Sequence, residues 1–98
     1  MSHRYTVVWS PELEANYAAR WNSASPYDRI RLTEAANRID HDLRFAPGRR
    51  GRGSPEQPDR HVWRVHGIEP PVVVVFDVSA EDRIVRVLEI LMNPERFE

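Results

Sequence analysis

The chain has 98 residues, 41% of them hydrophobic and none of them cysteine, which is enough for one domain with one core over residues 1–98 and too little for two. Without cysteine it has neither disulfides nor thiolate metal ligands, so packing has to hold it together. The net charge of −1 conceals an uneven distribution: all 14 basic residues are arginine, and six of them (Arg44, Arg49, Arg50, Arg52, Arg60 and Arg64) crowd into residues 44–64 against Glu56 and Asp59.

No apolar run approaches the roughly 20 residues of a membrane span, and the opening residues lack the apolar stretch of a signal peptide, so the expected location is the cytoplasm, with no membrane partner. Residues 5–9 read as a strand with Tyr5, Val7 and Trp9 on one face. Ser10 then supplies a helix N-cap, Pro11 the first helical position, and Glu12 and Glu14 complement the dipole. Leu13, Tyr17 and Trp21 give this helix an apolar stripe, and it is expected to stop near Asn22 and Ser23. A second start follows at Ser25, Pro26 and Asp28, an acidic variant of the capping box. Leu32, Ala36, Ile39 and Leu43 continue at helical spacing over about 20 residues until Pro47 and Gly48.

Residues 47–59 have no periodicity and many Gly and Pro residues, which predicts a mobile loop. Residues 60–66, 72–78 and 84–91 follow as three short strands of an antiparallel meander. Helices and strands kept apart in this way predict the α+β class, with two antiparallel helices packed on one face of a four-stranded, mainly antiparallel sheet in the order β-α-α-β-β-β. On that plan His61, Trp63, Val65, Val72, Val74, Phe76 and Val78 face the helices. Arg60, Arg64, His66, Val73, Val75 and Asp77 face outward.

The outward face of residues 60–66 holds the candidate chemistry. Such a face can grip a phosphate backbone, and chemistry on a phosphodiester needs a base, cations for the phosphorane and an acid for the leaving oxygen. His66 suits the base because the unperturbed imidazole titrates at about 6.5. Arg60 and Arg64 can supply cations; the competing reading is that these three merely solvate an exposed sheet. Arg49, Arg50 and Arg52, interleaved with Gly48, Gly51 and Gly53, suit a phosphate backbone, or equally a solubilising loop. This stretch is not a P-loop, because the lysine and the following Ser or Thr are missing. His61 reads as a core or boundary residue, and Trp9, Trp21 and Trp63 as packing residues. His3 and His41 are isolated, and neither has the paired spacing of a metal site, so no metal or cofactor is expected.

Taken along the chain, residues 5–10, the helix end with Ala36, Ile39, Asp40 and Leu43, the Pro47-Gly48-Arg49 break, and the strands around Phe76 and Arg86 resemble toxins of the RelE/ParE superfamily of bacterial type II toxin–antitoxin systems. The resemblance implies a toxin neutralised by a cognate antitoxin, acting either as a ribosome-dependent mRNA endonuclease or, in the ParE branch, as a DNA gyrase inhibitor without catalysis. A silent scaffold that keeps only antitoxin binding is the third alternative. The endonuclease branch places basic residues on the second strand, an arginine opening the third, and an arginine with a tyrosine or histidine near the C-terminus. Arg64 matches one second-strand position and Val62 falls on the other. Val73 falls where the third-strand arginine is expected. Arg96 supplies the C-terminal arginine, beside Phe97 in place of the tyrosine, so the candidate catalytic set is Arg60, Arg64 and His66 from the strand face, with Arg64 and Arg96 also implied by the resemblance.

Overall fold

Each helix begins at a Ser-Pro pair whose serine side chain accepts a backbone N–H three residues on, Leu13 N–H to Ser10 Oγ and Asp28 N–H to Ser25 Oγ, both at 3.2 Å. Such caps are worth about 1 kcal/mol each, and they fix where the chain turns helical. The computed structural model describes residues 4–45, 47–53, 56–65 and 72–92. Its elements are β1 (Thr6–Trp9), α1 (Pro11–Ser23), α2 (Pro26–Arg44), a 3-10 turn at Pro47–Arg49, β2 (Arg52–Gly53), β3 (Arg60–Val65), β4 (Val72–Ser79) and β5 (Ile84–Met92).

The sheet has five strands in the order β1-β5-β4-β3-β2, not the four expected. It is also mixed: β1 runs parallel to β5, whereas β2–β3, β3–β4 and β4–β5 are antiparallel. The extra strand comes from the expected loop. Arg52 and Gly53 pair with Val62 and His61, because a chain returning beside the start of β3 satisfies backbone groups that a free edge would leave to water. The parallel arrangement follows from topology, since the two-helix connection carries the chain over the sheet before the meander begins. Thr6 N–H to Arg83 O at 2.9 Å and Ser10 N–H to Val87 O at 3.1 Å secure β1 at both ends.

The helical hairpin covers one sheet face. Leu13, Leu32, Ala35, Ile39 and Leu43 are buried from its side, and Trp63, Val65, Val72, Val74, Phe76, Val85 and Val87 from the sheet. The expected alternation along β3 and β4 therefore holds. On α2 the stripe shifts by one residue, because Ala35 is fully buried and Ala36 only half-buried. Trp21 is 38% exposed and packs its indole against the Arg29 guanidinium at 4.5 Å, so it closes the hairpin from outside the core. Arg29 also donates to the Trp21 and Asn22 carbonyls at 3.0 Å, satisfying the C-terminal end of α1.

Tyr17 ties the two helices together. Its hydroxyl donates to Leu32 O at 2.6 Å, and burial, only partly offset by Arg20, pushes its pKa up to about 12. Trp9 meets the Tyr17 ring edge-on at 5.2 Å and donates its indole N–H to Asp40 at 3.0 Å. These contacts bind β1 to both helices. Among the described residues no helix is long and apolar enough to cross a membrane.

Candidate nucleic-acid interface

With one face of the sheet under helices, the other is open, and the register decides which side chains share it. Cross-strand partners point the same way, so Arg52 joins Val62 and, two residues along β3, Arg64. Next to them on β4 stand Val73 and Val75, opposite Arg64 and Val62. Arg52 and Arg64 are exposed and Val62 is 52% exposed. Diagonal neighbours of this kind lie about 7–8 Å apart at Cα, within reach of two long side chains converging on one anion. Arg64 also engages other groups of the chain.

What fixes Arg52 there is Gly51, at φ +66°. An added Cβ would run into the Val62 carbonyl, so only glycine lets the chain approach β3 this closely. Gly51→Ala is expected to destabilise the protein by about 1–2 kcal/mol from the left-handed backbone alone, with more from the collision. Urea unfolding measures that loss. Faster amide exchange at Arg52 and Gly53 than in the parent would locate it at β2.

The three loop arginines therefore separate. Arg49 is exposed on the 3-10 turn, and only Arg52 reaches the open face. Arg50 is half-buried with its guanidinium over the Trp63 ring at 5.7 Å, on the helix side. Its carbonyl lies 3.2 Å from His61 Nδ1, and the His61 ring stacks on Phe76 at 5.2 Å with planes 9° apart. His61 thus sits at the boundary of the core and links the arginine-rich segment to it.

Arg60 is engaged elsewhere on the same open face. It lies directly across from Asp77 and donates two hydrogen bonds to the carboxylate, Nε at 2.8 Å and an Nη at 3.0 Å. This fork holds the Asp77 carboxyl below the ordinary carboxylate range, against the opposing effect of burial. Arg86, across from Asp77 on β5, also lowers it, less strongly. A groove of about 580 Å³ runs beside this row, lined by Glu56, Asp59, Arg60, Asp77, Asp82 and Arg86 among others. Four carboxylates against two guanidiniums make that end of the face acidic. Among the described residues the open face thus carries this acidic groove at one end and Arg52 and Arg64 toward the β2 edge, with Glu89 opposite Val75 on β5.

His66 and Arg96 lie outside the described residues, as do His3 and Phe97. Among the described residues no cluster of His, Cys, Asp and Glu is arranged to hold a metal ion. Sequence reading missed the Asp77 and Arg86 contributions. A lone carboxylate in an aliphatic strand was the available signal for Asp77, but its partners depend on register.

No family model matches the chain, and no curated protein matches it. Among solved structures, the free-state structure of a double arginine-to-alanine mutant of the E. coli toxin RelE is similar at 16% identity and a TM-score of 0.49, over 95% of this chain and 86% of that one. That likeness concerns the fold alone.

Proposed function

We propose that this chain is a toxin of the RelE/ParE type, neutralised by a cognate antitoxin, and that its open sheet face grips the backbone of ribosome-bound mRNA for endonucleolytic cleavage. The observation that carries this reading is the diagonal placement of Arg52 and Arg64 across β2 and β3, which sets two permanently charged forks side by side on an exposed face. Arg64 holds the scissile phosphate in this scheme, and His66, the residue after Val65, is the general base; Arg96 supplies a further cation. Phosphate contact rather than base stacking is the fitting mode, since the described residues of the open face include no aromatic side chain on which a base would stack.

A second reading, gyrase inhibition by contact, is favoured by one specific feature. Val62, Val73 and Val75 form an aliphatic centre on the open face, and Arg60 is neutralised by Asp77, which suits a protein surface at least as well as a reaction. Expression in cells, followed by RNA sequencing for cut sites and by a supercoiling assay, separates the two. Cuts in translated messages support the endonuclease, whereas intact RNA with altered supercoiling supports the contact inhibitor.

Binding provides an independent check on the grip. Replacing Arg52 and Arg64 by Ser is expected to flatten the dependence of log K on log salt for a single-stranded oligouridine by about 0.7 per lost contact, about 1.4 for the pair. An unchanged slope would remove these arginines from the interface.

A further inference from the structure

A carboxylate and a phosphate present similar pairs of oxygens to a guanidinium fork, and an arginine already holding one is poorly placed to bind the other. Arg60 is in that situation. Its partner is its direct cross-strand neighbour, so the pairing is set by the ladder itself and not by a chance rotamer. The pair is also electrically neutral, and counterion release on polyanion binding counts net phosphate neutralisation. Beyond it lies the groove walled by Glu56, Asp59, Asp82 and Arg86, three carboxylates against one further guanidinium, so its remaining net charge is negative and repels a polyanion.

We propose that Asp77 acts as a built-in stand-in for phosphate, withholding Arg60 from nucleic acid and confining the bound strand to the Arg52 and Arg64 end of the open face. This rests on the nucleic-acid reading given above. Asp77 is then a specificity-determining residue that limits the footprint, since an extended RNA meets a closed, acidic boundary one sheet row from Val62. The opposite role has a distinct signature: two of the five N–H donors of Arg60 are taken, and a carboxylate that merely orients the guanidinium would strengthen phosphate binding through the remaining ones. The two roles predict opposite signs for the same substitution.

The test is the salt dependence of binding to a 12-nucleotide oligouridine, measured for the parent and for Asp77→Asn, Asp77→Glu and the double variant Asp77→Asn with Arg60→Gln. Asp77→Asn is expected to tighten binding and to steepen the log–log slope by about 0.7, one additional phosphate contact on a single strand. The double variant should return to the parental slope, and Asp77→Glu, which keeps the pair, should match the parent. Urea unfolding of each variant establishes that a change in binding is not a change in fold. Weaker binding or an unchanged slope in a folded Asp77→Asn overturns the withholding role while leaving the Arg52 and Arg64 interface standing. If the parent and Asp77→Asn both fail to bind, the nucleic-acid reading and this inference fall together; binding gained only by Asp77→Asn supports the inference and shows that the parental face is closed.

Discussion

Phe76→Ala is expected to cost about 3–5 kcal/mol, a large fraction of the roughly 5–15 kcal/mol that holds a domain folded. Phe76 is fully buried at the centre of β4, stacked on His61 and met edge-on by Trp63 at 6.5 Å, 90° between planes. Removing its ring loses the transfer free energy and leaves a cavity, since neighbours held by the β-ladder on both sides relax little. The loss would also loosen His61, and with it the contact to the Arg50 carbonyl that helps anchor the segment leading to Arg52. Val75→Ala, one residue away on the open face, should cost about 1 kcal/mol or less. Urea unfolding of both variants measures the difference, and equal losses would reject the assigned facing of β4.

The second large effect is chemical. If His66 takes the proton of the 2′-hydroxyl, His66→Gln should slow message cleavage by roughly 10² to 10⁴ and relieve growth arrest. Arg64→Gln should be similarly inactive, because the phosphate is no longer held and its developing charge is no longer stabilised. Arg64 is exposed, so Arg64→Gln should unfold at the parental urea concentration, and urea unfolding of His66→Gln separates lost chemistry from lost fold. Blocking a topoisomerase needs no proton transfer, so toxicity that survives His66→Gln with intact cellular RNA would transfer the function to gyrase inhibition. Single-turnover cleavage on programmed ribosomes, beside a supercoiling assay, reads both outcomes.

The Arg60 pair bears on how these experiments are interpreted. On sequence alternation Arg60 and Arg64 are equivalent, two residues of one charge on one face of one strand. The register makes them different, because Asp77 stands opposite Arg60 and Val73 opposite Arg64. A substitution at Arg60 therefore probes an ion pair before it probes a substrate. With the two side chains 41% and 35% exposed, that pair contributes little to stability after solvent screening.

Local chemistry determined much of this protein. Ser10 with Pro11 and Ser25 with Pro26 set both helix starts, since an N-cap and a proline act within one turn of chain. The period of two through residues 60–65 and 72–78 separated the helix-covered face from the open one, because alternation is a property of the strand itself. Long-range pairing decided the rest. β2 is two residues, too short to carry a pattern, and exists because β3 offers an edge and Gly51 permits the approach. On β5 the ladder slips, with Val75 opposite Glu89 and Phe76 opposite Val87, so inward facing passes from Val85 and Val87 to Ile90. A bulge of this kind reverses the parity of a strand without any mark in its own residues. The one-residue shift from Ala36 to Ala35 likewise came from how α2 rolls against the sheet. Partnership at the open face, with Asp77 opposite Arg60 and Val73 opposite Arg64, depends on which residues of distant strands come opposite one another, and only the tertiary structure fixes that.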